Sequence, residues 1–324
     1  MANYKFYNIQ LLPIDSKNVK EVGYEGYCRL FESLNDQIKE CGKNKQKLSS
    51  IAVSMRGGMF FAPFSVSVHE YPDKDGSKKV IYGSFLKFDD VNELVDTNSG
   101  ETEYRSKGNT SSKRFNLEFV FDPYAHILAI HETKGLPTRK PLILALKKIL
   151  DSHAKKYFKN HNLEVEELTS ADSIKDFFES PKKGYRHYEG HVTFSNSDSF
   201  DDVIEKEIIR QAEQEMKDKN VARWESNYKS FPNSLMIDLP QQAKIQIILA
   251  TKYGNAEVSY MDEDGKAQRY QMEDYPVKES LKKTHKMGSR EKAILIKDLI
   301  FSAINKTKMK INIIKKNKSV LGDD

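Results

Sequence analysis

Apolar positions in this chain follow two periods that keep replacing each other. Residues 4–14, YKFYNIQLLPI, alternate loosely and end at a proline, as a strand does. Residues 25–41 place Cys28, Phe31, Leu34 and Ile38 at spacings of three and four, the stripe of an amphipathic helix, and Gly42 stops it. Residues 51–55 read as a short strand that breaks at Arg56-Gly57-Gly58. Residues 64–71 and 80–88 are strands flanking the turn-rich Pro72-Asp73-Lys74-Asp75-Gly76, and 115–121 with 127–132 flank Asp122-Pro123. Between these pairs, residues 96–113 (DTNSGETEYRSKGNTSSK) are almost devoid of apolar side chains and are expected to be a mobile loop.

The second half continues the alternation. A helix is expected over 139–158 behind Pro137, then strand 163–168, helix 171–179 and strand 185–194. Residues 201–217 predict a highly charged amphipathic helix, and 221–240, with Pro232 and Pro240, a linker or irregular connector. In 241–254 the apolar positions fit helix and strand equally, but Pro240 before them and Gly254 after them predict a helix. Residues 257–261 and 267–272 flank Asp262-Glu263-Asp264-Gly265 as a hairpin. A helix over 290–304 with Ser289 as N-cap and a strand over 309–314 complete the chain.

Strands joined as hairpins and interleaved with helices predict an α+β fold with mostly antiparallel sheets and packed helices. The β-α-β order of several stretches predicts ferredoxin-like halves. The expected organisation is a body over residues 1–220, two such halves dividing near 160, and a C-terminal α+β subdomain over 241–324.

Charge changes this picture most. Residues 278–318 carry 13 Lys/Arg against 3 Asp/Glu, a local net charge of +10 in a chain that totals +5; with the terminal Asp323–Asp324 set aside, residues 1–277 stand at −3. A slightly acidic body with a basic end points to a polyanionic partner. The candidate phosphate-contacting residues are Lys278, Lys282, Lys283, Lys286, Arg290, Lys308, Lys310, Lys315, Lys316 and Lys318. Lys278, Lys282 and Lys286 recur every four residues, the spacing of one helical face. Lys308 and Lys310 alternate with Met309 and Ile311, which in a strand sets them opposite the buried side chains. A solvated face and a Lys/Asn-rich tail explain the same composition, so both readings stand.

Other chemistry is sparse. His187, Glu189 and His191 share one face of their expected strand, a spacing suited to a zinc site or to plain solvent-facing polarity. Arg186-x4-His191 matches a ribonuclease pair that elsewhere sits on a helix, whereas here alternation sends the two to opposite faces. Cys28 and Cys41, 13 residues apart, form no C-x-x-C pair, and no Walker A, dinucleotide-fold or H-E-x-x-H motif is present. No cofactor is therefore expected. The first 15 residues lack a basic head and apolar run, and no stretch nears the roughly 18 apolar residues of a membrane span, so a cytoplasmic protein without membrane contact is expected.

Several short motifs carry a resemblance. Tyr253-Gly254-Asn255-Ala256-Glu257-Val258, Asp264-Gly265-Lys266 and Asp274-Tyr275-Pro276-Val277 resemble the end of an uncharacterised bacterial family known as a domain of unknown function. Phe119-Val120-Phe121-Asp122, His126-Ile127-Leu128, Glu132-Thr133-Lys134-Gly135 and Val192-Thr193-Phe194-Ser195-Asn196-Ser197-Asp198 are similar to earlier parts of it. The C-terminal hairpin also resembles the phage exclusion protein RexA, a DNA-binding antiphage factor. That resemblance implies a bacterial antiphage component that binds DNA or RNA without sequence preference, alone, as a homo-oligomer or beside a defence effector protein. A nuclease whose carboxylates and histidines meet only in three dimensions, and an interaction module docking an acidic partner, are the alternatives.

Overall fold

The structure, a computed structural model, describes all residues except 16–17, 75, 92, 106–109, 195–210, 212–213, 217, 283–286 and 309–324. The expected helix at 201–217 falls mostly, and the expected strand at 309–314 wholly, outside the described residues. The chain forms two compact units, each built from three segments. The first comprises Met1–Tyr4, Gly23–Lys159 and Ser280–Lys297, the second Lys5–Val22, Asn160–Glu279 and Asp298–Asp324.

The first unit is an antiparallel meander, β2 (Val53–Met55), β3 (Met59–Asp73), β4 (Gly76–Asp89), β7 (Arg114–Asp122) and β8 (Ile127–His131), each paired with the next. Alternation sends Phe85, Phe119 and Phe121 to one face, where they meet Phe31 of α1 (Tyr24–Lys43). The rings stack at 3.9 Å for Phe31–Phe121 and 4.6 Å for Phe85–Phe119. Each such fully buried ring contributes about 1.5–3 kcal/mol by leaving water. Gly83 makes the stack possible, because a Cβ there would lie 2.3 Å from the Ser65 carbonyl and 2.5 Å from the Phe119 ring. α2 (Arg139–Tyr157) packs on α1 and begins with Pro141 in its first turn, where a missing N–H removes no helical bond.

The expected loop at 96–113 is partly structured. β5 (Glu93–Val95) and β6 (Thr102–Arg105) pair as a two-stranded ribbon. Farther on, Asp89 gathers the Ser111 hydroxyl, the Ser112 hydroxyl and the backbone N–H groups of Ser112 and Lys113. Burial alone would raise this carboxyl, but those donors outweigh it and hold the pKa at about 2. Low hydrophobicity hid this order, since it rests on hydroxyls and backbone amides.

In the second unit, β10 (Lys182–Thr193), β11 (Arg223–Lys229), β12 (Gly254–Asp262) and β13 (Ala267–Gln271) form an antiparallel sheet in the order β11-β10-β12-β13. α3 (Ala171–Glu179) packs on α4 (Gln241–Tyr253), and α4 packs on β10 and β12. Every residue of α4 from Ala243 to Tyr253 is buried, which explains why its apolar pattern has no clear period. Its buried Gln246 is satisfied on both sides, accepting from the Tyr188 hydroxyl at 2.6 Å and donating to the Trp224 carbonyl at 2.8 Å.

Two expectations are corrected here. Within the expected connector 221–240, Arg223–Lys229 is β11, an edge strand of this sheet, and residues 241–272 share the sheet and core with β10. The halves are not ferredoxin-like. β9 (His161–Glu167) stays out of the four-stranded sheet because its backbone is taken up by β1 (Ala2–Pro13), in a continuous antiparallel register from Tyr7–Glu167 to Pro13–His161. The fold class is nonetheless the expected one, α+β with antiparallel sheets.

Candidate functional site

The basic end begins in β14 (Lys278–Leu281), so the helical stripe expected for Lys278, Lys282 and Lys286 does not form across its described part. Extended backbone instead turns Glu279 inward, where it accepts from the Ser302 hydroxyl at 2.6 Å and pairs with Lys306 at 2.9 Å. Lys278 and Lys282 are exposed. α5 (Ser289–Lys306) follows, one residue earlier than an N-cap at Ser289 would give, since the Lys292 N–H already bonds the Gly288 carbonyl.

Several cations on α5 serve the fold. Arg290 donates from Nε (3.2 Å) and Nη2 (3.1 Å) to the Glu70 carbonyl of β3. Lys297 lies over the Tyr71 ring at 4.6 Å, and Lys292 reaches Glu118. Lys306 also donates to the Lys278 carbonyl at 3.0 Å. Lys308 is half-buried just past the helix. Of the ten candidates, Lys283, Lys286, Lys310, Lys315, Lys316 and Lys318 lie outside the described residues. Arg290 makes its structural contact to Glu70 while remaining exposed, and Lys278 and Lys282 are the other exposed candidates among the described residues.

Glu118 is the centre of a network that the sequence did not announce. It sits on β7, on the opposite face from Phe119, and accepts from the Tyr4 hydroxyl (2.8 Å), the Tyr82 hydroxyl (2.6 Å) and the Lys292 ammonium. His131 stacks on Tyr4 at 5.2 Å, and burial lowers its pKa. Burial alone would raise the Glu118 carboxyl, but the three donors outweigh it and hold it below the usual range. Burial and the carboxylate together push the Tyr4 and Tyr82 hydroxyls far up. A carboxylate saturated by three donors is a poor general base, so the cluster reads as the tie that fixes the start of α5 to the meander. Its members lie far apart in sequence, and no local spacing could have revealed them.

His187, Glu189 and His191 do share a face of β10, as alternation requires, opposite the buried Tyr188, Gly190 and Val192. They do not converge. His187 Nε2 lies 3.3 Å from Asn227 Oδ1 and 4.0 Å from Glu189, while His191 Nε2 meets Glu166 of β9 at 2.8 Å. Among the described residues no three His, Cys, Asp or Glu side chains are grouped to hold a metal ion. Burial pushes the Cys28 thiol up to about 11, which removes it as a nucleophile at neutral pH.

A second arrangement missed by the sequence is a cleft of about 480 Å³ in the second unit, where α3 meets β12, β13 and the segment after them. Tyr260, Tyr270 and Tyr275 line it together with Asp172 and Asp176 of α3.

These features define an α+β protein of two antiparallel units with a cation-rich C-terminal end. The chain belongs to the family described as Domain of unknown function (DUF4747), which it matches over residues 3–300. Neither the curated proteins nor the solved structures contain a match to it. The match takes in Arg290 and Lys292, whereas Lys308, Lys310, Lys315, Lys316 and Lys318 follow its end. No helix among the described residues is long and apolar enough to cross a membrane.

Proposed function

We propose that this protein binds nucleic acid through its phosphates, without reading sequence, as the nucleic-acid-contacting part of a bacterial antiphage system. The observation that carries the binding is the charge asymmetry, +10 over residues 278–318 against −3 over 1–277. Lysine ammonium groups position a protein on a phosphate backbone but do not discriminate bases. The antiphage role rests on the similarity of the C-terminal hairpin to a phage exclusion protein, and a cytoplasmic location suits such a partner. The sites drawn on are Lys282, Lys283, Lys286, Lys308, Lys310, Lys315, Lys316 and Lys318, with Lys278 beside them.

The test separates structural from contacting cations. Lys310, Lys315, Lys316 and Lys318 are changed together to Glu, leaving Arg290, Lys292 and Lys306 intact. Gel shifts on duplex DNA and on RNA are expected to weaken by at least tenfold for both, with unchanged preference among sequences. Parental affinity in the variant would make the basic end a solvated tail, and binding of an acidic protein without any shift of nucleic acid would favour the interaction-module reading.

A further inference from the structure

The cleft in the second unit has the opposite sign from the basic end, and its walls have a chemistry of their own. We propose that it binds an organic cation of side-chain size, a lysine or arginine side chain of a peptide or a free polyamine.

One wall of the cleft is α3. In this nine-residue helix Ser173 and Phe177 face the core, while Asp172 and Asp176 follow one turn apart on the exposed side and line the cleft. Asp172 stands in the first turn, where the helix dipole favours a carboxylate. Asp176 lies beyond that turn, so the dipole does not account for it. Neither carboxylate has a hydrogen bond or ion pair among the described residues. Arg269 lines the cleft, and Glu257 already neutralises it through bonds to Nε (2.7 Å) and Nη2. With Glu257 and the Lys182 ammonium at the aromatic wall included, the cleft holds one negative charge in excess.

The facing wall is aromatic. Tyr270 stacks on Tyr275 at 5.4 Å, and Phe177 meets Tyr260 edge-on at 5.6 Å, so rings are presented in two orientations. Tyr275 is 46% exposed and offers its ring to the cleft. The Tyr270 hydroxyl is held by Ser173 at 2.9 Å. The Lys182 ammonium, held by the Phe177 and Ser180 carbonyls, lies 4.5 Å from the centre of Phe177 and 5.2 Å from that of Tyr260, which leaves the Tyr275 ring for a ligand. A ring quadrupole draws positive charge to its face, and carboxylates beside it add a Coulomb term. The volume falls within the roughly 300–1,000 Å³ of small-ligand sites. Phosphate is disfavoured by the same carboxylates, so the cleft is not part of the nucleic-acid path.

The test is titration of the full chain by NMR at constant ionic strength. The probes are blocked lysine, blocked arginine and spermidine, with urea and inorganic phosphate as neutral and anionic controls. Saturable shifts at about 1–10 mM are expected for the cations alone, as two weak contacts supply. Asp172→Asn with Asp176→Asn should weaken binding about fivefold or more, and Tyr275→Leu should weaken it as well. Both changes are on exposed side chains, and circular dichroism checks that each variant is folded. Tighter binding of blocked residues than of spermidine assigns a peptide source, and the reverse a free polyamine. No saturable shift with any cation, or equal binding by the doubly neutralised variant, overturns the proposal.

Discussion

Glu118→Ala is expected to destabilise the protein by about 2–4 kcal/mol, because it leaves a part-buried ammonium, the buried Tyr4 hydroxyl and the part-buried Tyr82 hydroxyl without their acceptor. The side chains of Glu118 and Lys292 are only 13% and 17% exposed, and Tyr4 is fully buried, so water replaces little of what is lost. Glu118→Gln keeps the shape and removes the charge, and should cost less. Urea unfolding measures both. The same carboxylate makes the stability depend on pH. Its folded pKa lies below the ordinary 4.5, so its contribution is complete above that value and is lost as pH falls through the depressed pKa. The Gln variant should therefore show a shallower acid decline than the parent. An unchanged urea midpoint in Glu118→Ala would mean that the network does not hold α5 in place.

Gly254→Ala is expected to cost more than about 3 kcal/mol or to abolish folding. Gly254 joins α4 to β12 in extended backbone, with φ at −174°, so its conformation is open to any residue. Space is the constraint. A Cβ there would lie 1.9 Å from the His191 carbonyl oxygen and 3.1 Å from the Val192 Cα, and both are backbone atoms of the central strand. Neither can rotate away as a side-chain tip would. Gly42→Ala, where a Cβ meets nothing within 4 Å, should instead stabilise α1 slightly, by up to about 1 kcal/mol. Thermal melts of the two variants make the comparison, and a soluble Gly254→Ala with parental melting temperature would refute the close approach.

Periodicity served the fold well wherever one face is buried and the other wet. The stripe Cys28, Phe31, Leu34 gave α1, and Phe115 to Phe121 gave β7, because burial writes itself on local sequence. It served poorly where burial is complete or where polar bonds do the ordering. α4 is buried on all sides and needed Pro240 and Gly254 to be read as a helix. The cradle at Asp89 looked like loose polar chain. Strand pairing between distant segments, such as β1 with β9, leaves no local mark, which is why the ferredoxin-like expectation failed. The site divides in the same way. A run of lysines is legible, but which of them the fold itself uses is not: Arg290 and Lys292 differ from their neighbours only in meeting Glu70 and Glu118 across more than 170 residues.

The most direct test of phosphate binding is the salt dependence of affinity for duplex DNA, measured by fluorescence anisotropy for the parent and for the variant with Lys310, Lys315, Lys316 and Lys318 changed to Glu. Each neutralised phosphate releases counterions, so log affinity should fall with log salt at a slope of about −0.9 per contact. A steep slope is predicted for the parent, and a slope shallower by up to about 3.6 for the variant if all four lysines make contacts. A flat dependence in the parent, or the same steep slope in both proteins, would contradict the assignment of the basic end as the nucleic-acid interface.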